Sequence, residues 1–156
     1  MKKIQLTQGQ VAIVDDEDYK TLNKYKWRAS RDGNTFYAHR FTLGKHSNRK
    51  LLIMHRIIMN VPCGMVVDHI DMNGLNNQRK NLRICTNQQN RMHQGKQKNN
   101  TSGFKGVSWN KKNKKWKADI HVNGERVYLG YFDSIEDAYR VYCEACKELH
   151  GEFAHL

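Results

Sequence analysis

Val66-Val67-Asp68-His69-Ile70-Asp71-Met72-Asn73-Gly74-Leu75-Asn76-Asn77-Gln78-Arg79-Lys80-Asn81-Leu82-Arg83-Ile84-Cys85-Thr86-Asn87-Gln88-Gln89-Asn90 is the stretch on which the reading of this chain turns. Val66–Ile70 predicts a short strand that delivers adjacent Asp68 and His69. Asn73-Gly74 and the polar residues after it form a long turn, and Leu82–Cys85 returns as a second strand. Thr86 followed by Gln89 is the capping-box pattern that opens a helix. Asn90 falls in the first turns of that helix, near enough to face the strand bearing Asp68. The prediction is a strand–strand–helix unit with polar groups converging on one point.

Hydrolysis of a phosphodiester needs a base for water, a cation to neutralise developing charge, and a fixed geometry. His69 can act as the base because imidazole titrates near working pH. Asp68 and the amide oxygen of Asn90 are hard oxygen ligands that suit Mg²⁺, with Mn²⁺ as a substitute and water in the remaining positions. An Asp-His pair alone is weak evidence, since the same residues with Asn-Gly make an ordinary hairpin. The complete spaced set in a basic chain is a much stronger signal.

Upstream, Ile4–Val14 alternates around Gln8-Gly9 and reads as a hairpin. Asp15-Asp16-Glu17-Asp18 sits where acids favour a helix start and reads as a solvated N-terminus, with Tyr19, Leu22 and Tyr25 at helical spacing. Asp32-Gly33-Asn34 is a turn between Lys26–Ser30 and Thr35–Leu43. Lys50–Asn60, the most apolar segment, predicts a strand passing into a short helix closed by Pro62 and Gly64, with His55 as a packing residue.

The 27 Lys and Arg against 15 Asp and Glu give a net charge of +12, which predicts attraction to polyanions. The charge is uneven: residues 91–126 hold ten basic and two acidic residues, a net of +8, while residues 127–156 hold two and six, a net of −4. Such clustering marks a binding face. Hydrophobic residues are 38% of the chain, too few for one large core, so small modules are expected. No run of 18 apolar residues exists, so nothing spans a membrane, and Met1–Gln5 lacks the apolar stretch of a signal peptide. The four cysteines suit a reducing cytosol. Cys143 and Cys146 have no second pair at zinc spacing and read as buried helix cysteines.

Residues 91–102 are polar and basic and read as a linker. Beyond it, Gly106–Asn110 predicts a strand, Lys111–Lys115 a basic turn, and Trp116–Val122 an alternating strand. Asn123-Gly124 is a two-residue hairpin turn, and Arg126–Phe132 a third strand. Asp133 or Ser134 caps a helix whose stripe (Ile135, Ala138, Tyr139, Tyr142, Ala145, Cys146, Leu149) covers the apolar sheet face, ended by Gly151. The opposite face then carries Lys105, Ser108, Lys117, His121, Arg126 and Tyr128, and a basic sheet of this kind can enter the DNA major groove.

The 66–90 run resembles the HNH, or ββα-metal, nucleases, specifically the phage and intron homing-endonuclease branch. The match lies in Asp68-His69-Ile70-Asp71, Asn73-Gly74, Asn81 twelve residues after His69, and Asn90 nine later. The resemblance implies that Asp68 and Asn90 bind metal, that His69 activates water, and that Asn81 ties the turn together by hydrogen bonds. Asn90 stands where the family name has a histidine. Met54-His55-Arg56 and residues 4–43 also resemble segments that precede the motif in such nucleases. Residues 102–154 resemble the plant ethylene-response-factor (APETALA-type) DNA-binding domain through Phe104-Lys105-Gly106-Val107, Ala118-Asp119-Ile120, Arg126–Phe132 and Glu136-Asp137-Ala138-Tyr139. That resemblance implies a reading face of Lys105, Ser108, Asn110, His121, Arg126 and Tyr128. Ser108 and His121 depart from the arginines usual there, so the plant target does not transfer.

The expectation is an α+β chain: a β-rich N-terminal region and ββα-metal nuclease core over 1–92 (core about 50–92), a basic linker over 93–101, and over 102–156 a three-stranded antiparallel sheet packed on one helix. The expected partner is double-stranded DNA, the expected state a monomer, and the expected location the cytoplasm of a bacterial or phage-infected cell. The rival is a non-catalytic DNA-binding regulator with a decayed nuclease core, which the intact Asp68, His69, Asn81 and Asn90 disfavour; RNA binding is a weaker third. If about five phosphates are contacted, log K on duplex DNA falls against log salt with a slope of about −4 to −5, measured by fluorescence anisotropy. Replacing Lys114 and Lys115 with Ala flattens the slope without changing sequence preference, because phosphate contacts carry no sequence information; a slope near zero contradicts the electrostatic account.

Overall fold

The computed structural model describes residues 1–44 and 48–156. The chain forms two compact units, Met1–Thr86 and Asn87–Leu156, each with its own hydrophobic cluster.

In the first unit, β1 (Lys2–Gln5) and β2 (Val11–Val14) pair antiparallel around a 3₁₀ turn at Thr7–Gly9. Their alternation points Ile4, Ala12 and Val14 inward. Helix α1 (Asp16–Leu22) follows, with Asp16, Glu17 and Asp18 in its first turn. Strands β3 (Arg28–Asp32), β4 (Thr35–Phe41) and β5 (Leu51–Ile53) form an antiparallel sheet in that order, and α2 (Met54–Met59) leaves β5 directly. Asn60 ends α2 in the left-handed conformation. Strands β6 (Val66–His69) and β7 (Leu82–Cys85) pair in register from Val66↔Cys85 to His69↔Leu82. Val67, Leu75 and Leu82 join Trp27, Met54 and Ile58 in the core.

The excursion between β6 and β7 is sewn onto the N-terminal hairpin. The Ile13 amide donates to Leu75 O at 2.8 Å, and the Asn77 amide donates to Ile13 O at 2.8 Å. The acidic run is more than a solvated helix start. Asp15 accepts from the Arg79 amide (2.8 Å) and Gln78 Nε2 (3.1 Å), and Arg79 donates to both carboxylate oxygens of Asp18 at 2.9 and 2.8 Å. Glu17 adds a third contact to Arg79 at 2.7 Å.

In the second unit, α3 (Asn87–His93) is followed by thirteen residues without helix or strand, 94–106. Side chains order this stretch: Asn100 Nδ2 donates to Phe104 O (2.8 Å) and Ser102 Oγ to Val107 O (2.7 Å). Strands β8 (Val107–Asn110), β9 (Lys115–Val122) and β10 (Glu125–Phe132) form a meander in spatial order β10-β9-β8. Helix α4 (Ile135–His150) covers one face, burying Ala138, Tyr142 and Cys146 against Val107, Ala118 and Ile120. Ser134 caps it, its Oγ accepting from the amides of Glu136 (3.1 Å) and Asp137 (3.3 Å). The stripe runs differently at its end: Leu149 is 42% exposed and His150 is buried. The His150 ring bonds to His121 O at 2.9 Å, so its Nε2 carries the hydrogen and Nδ1 accepts from Cys146 Sγ at 3.5 Å. Among the described residues no helix is long and apolar enough to cross a membrane.

Gly74 marks the tightest approach in the first unit. Its amide donates to Thr35 Oγ1 at 2.9 Å, and a Cβ there would lie 2.5 Å from Phe36 O and 2.6 Å from the Tyr37 ring. Gly74→Ala therefore costs about 1–3 kcal/mol of stability, read as a lowered urea midpoint at constant slope. An unchanged midpoint would show that this turn is not pressed onto β4.

Candidate active site and nucleic-acid interface

Asp68 and His69 end β6, and alternation along the strand sends them to opposite faces of the β6–β7 hairpin, yet both are buried. Asp68 faces Arg83 across the ladder. The Arg83 guanidinium donates to Asp68 Oδ2 from Nε at 2.8 Å and lies at 2.6 Å through Nη2. Arg83 was not among the residues singled out from sequence, although the hairpin register places it directly opposite Asp68.

His69 stands among groups that hold its ring. Asn77 Oδ1 lies 3.4 Å from His69 Nε2. The His55 ring meets His69 edge-on with centroids 5.0 Å apart, and Tyr37 lies 5.6 Å from His55 and 5.8 Å from His69. Burial pushes His69 below the usual imidazole range, against the opposing pull of Asn77, Asp71 and Asp68. Burial acts more strongly on His55, with help from His69 and Arg56, and lowers it to about 3. At neutral pH both rings are uncharged, the state in which a histidine accepts a proton.

Asn81 closes the excursion. Its Nδ2 donates to Asp71 Oδ1 (2.9 Å) and Asn76 O (2.8 Å), and its Oδ1 accepts from the Asp71 amide (3.0 Å). Asp71 is locked in turn by the Asn73 amide (2.9 Å) and Asn76 Nδ2 (2.7 Å). Burial opposes ionisation of Asp71, but these hydrogen bonds outweigh it and hold the carboxyl below its usual range. Asp68, His69 and Asn81 thus share one unit. Asn90 is partly exposed on α3 and belongs to the second unit. Among the described residues no three His, Cys, Asp or Glu side chains converge as a metal cage, and the cysteines are free thiols.

In the second unit, cross-strand pairing puts Ser108 beside Lys117, Arg126 beside His121, and Tyr128 beside Asp119 on the face away from α4. Ser108 and His121 are exposed, and Tyr128 is 55% exposed. Asn110 reaches across this face, Nδ2 donating to Tyr131 Oη at 3.1 Å. Tyr131 was missed because strict alternation separates it from Tyr128. A register shift between Tyr128 and Gly130 returns it to the same face, where the two rings lie 5.3 Å apart. Asp119 is buried there and was also missed: Arg126 donates to it at 2.7 and 2.6 Å, and Lys117 Nζ lies 2.9 Å away. Lys105 is a correction. It precedes β8, its ammonium donates to Met92 O (2.8 Å) and His155 O (3.2 Å), and burial lowers its pKa. It closes the second unit internally and does not stand on the sheet.

Comparison with known proteins agrees with this layout. A family model described as HNH endonuclease matches residues 60–92, and one described as AP2 domain matches residues 102–152. A protein of Acanthamoeba polyphaga mimivirus described as an uncharacterized HNH endonuclease is 34% identical over 146 residues, covering 94% of this chain and 74% of the relative. Protein 3.8 of Escherichia phage T7 is 36% identical over 96 residues, covering 62% of this chain and 78% of that protein. No solved structure matches the chain. With the Asp68–His69 pair at the end of a ββ hairpin and a helix-backed sheet after it, the chain belongs to the HNH endonuclease family and carries a C-terminal AP2-type DNA-binding domain.

Proposed function

We propose that the chain is a divalent-metal-dependent endonuclease that hydrolyses double-stranded DNA with His69 as general base, and that its AP2-type sheet selects the site. The observation that carries this reading is the end of β6, which presents a buried, neutral imidazole on one face of the hairpin and a carboxylate pinned by Arg83 on the other. By residue type the proposed donors, Asp68 and Asn90, suit Mg²⁺. One carboxylate and one amide oxygen are hard ligands, and so sparse a set leaves positions for phosphate and water. Asp68 and Asn90 would hold the ion, with Mn²⁺ as a substitute. When bound, it supplies charge stabilisation at the scissile phosphate and leaving oxygen.

The chain's own residues supply the remainder. With Asn77 Oδ1 against Nε2, His69 is held with its hydrogen on that nitrogen, so Nδ1 is the atom that takes a proton from water. His55 and Tyr37 fix the ring plane. Arg83 keeps the Asp68 carboxylate in one orientation. Asn81 keeps the excursion folded so that β6 and β7 stay in register.

The working division is nuclease to residue 92, since α3 carries Asn90, then a basic connection over 93–101 and a reader over 102–156 in which Ser108, Asn110, Lys117, His121, Arg126, Tyr128 and Tyr131 face DNA. A monomer acting in the cytoplasm of a bacterial or phage-infected cell fits the partner. His69→Ala lowers Mg²⁺-dependent cleavage of supercoiled plasmid by about 100-fold or more, with DNA affinity within a few-fold of the unaltered chain. Asp68→Ala also loses activity, and added Mg²⁺ does not restore it fully. Undiminished cleavage by His69→Ala would remove the assignment of the base.

A further inference from the structure

An acid on a DNA-binding face is an electrostatic liability. Asp119 sits at the centre of the exposed face of β8–β10, in a stretch whose net charge is +8. Its side chain is 9% exposed while that of Arg126 is 54% exposed. Both carboxylate oxygens are used: Oδ1 accepts from Arg126 Nε at 2.7 Å, and Oδ2 accepts from Arg126 Nη2 at 2.6 Å and lies 2.9 Å from Lys117 Nζ. Burial opposes its ionisation, but Arg126 and Lys117 outweigh burial and keep it charged. A charged carboxylate repels phosphate, so attraction to the backbone alone gives Asp119 no part to play on this face.

The geometry of the pair gives it a second use. An arginine on a strand has a long flexible stem, and ordering it on a base costs side-chain entropy. Asp119 grips one edge of the Arg126 guanidinium with two parallel bonds, the planar fork arrangement that fixes direction as well as distance. Two of the five donors are occupied, and Nη1 with the remaining hydrogen of Nη2 forms a second parallel pair. Such a pair matches O6 and N7 of guanine in the major groove. We propose that Asp119 is a positioning residue that aims Arg126 at a guanine edge and thereby sets the sequence discrimination of the sheet. This rests on the sheet being the DNA-reading face, as proposed above.

A purely structural ion pair and a positioning pair predict different signs. Removing the negative charge strengthens attraction to any duplex. Releasing the guanidinium weakens discrimination between duplexes. The test uses the full chain in EDTA, so that no cleavage occurs. A preferred duplex is selected from a randomised pool with the unaltered chain, and its Kd is compared with that of a scrambled duplex. In Asp119→Asn the scrambled-duplex Kd tightens by about two- to fivefold, while the ratio of the two Kd values falls about tenfold. In an Arg126→Ala background, Asp119→Asn leaves that ratio unchanged, because the acid acts through the arginine. Asp119→Glu keeps the charge and moves the carboxylate by one methylene, so the ratio falls with scrambled-duplex affinity constant; this variant carries the test if Asp119→Asn does not fold. A ratio unaltered in either folded variant, or a loss that persists without Arg126, overturns the proposal. A pool that yields no preferred sequence overturns the reading-face assignment itself, and this proposal with it.

Discussion

The first unit depends on the side chain of Asn81. Between His69 and Leu82 the chain leaves the ladder for twelve residues and must return opposite its point of departure. Three hydrogen bonds from one buried amide, to Asp71 Oδ1, to Asn76 O and from the Asp71 amide, close that excursion. An amide suits this task because it both donates and accepts, whereas a carboxylate at neutral pH only accepts. If the closure failed, β7 would lose its register with β6. A one-residue slip would turn Arg83 away from Asp68 and move Leu82 out of the core. The turn, the core and the Asp68–Arg83 ion pair share one constraint.

That constraint is reinforced from far along the chain. Asp15 and Asp18 grip Arg79 and its amide, and Ile13 pairs with the backbone of Leu75 and Asn77. The N-terminal hairpin and α1 thus form one wall against which the excursion is shaped, and β4 forms another, leaving no room at Gly74 for a side chain. The lowered pKa of the two histidines follows from the same packing: Tyr37 on β4, His55 on α2 and His69 lie ring against ring, and burial disfavours the charged imidazoles. In the second unit the corresponding economy is the His150 ring, which ties α4 to β9 through the His121 carbonyl.

Much of this was legible in the residues. Period-two alternation placed β6, β7 and β9 to within a residue or two, and Asn123-Gly124 marked the hairpin between β9 and β10. The family resemblance implied that Asn81 ties the turn together, and its side chain bonds to Asp71 and Asn76. What stayed hidden has physical reasons. The Arg79 clamp joins residues 61 to 64 positions apart, beyond any local pattern. Tyr131 was masked by a register shift that local alternation cannot foresee. Lys105 reads as a surface cation by type, but carbonyls of Met92 and His155 claim its ammonium. Asn90 fits the nuclease motif by spacing, while α3 groups with the second unit.

The proposed metal ligands are Asp68 and Asn90. Titration of the full chain with Mn²⁺, followed by electron paramagnetic resonance of the free ion, measures this without any cleavage. Asp68→Ala and Asn90→Ala should each weaken the site by at least about tenfold. A site that keeps its full affinity in both variants would contradict the account and place the metal elsewhere in the molecule.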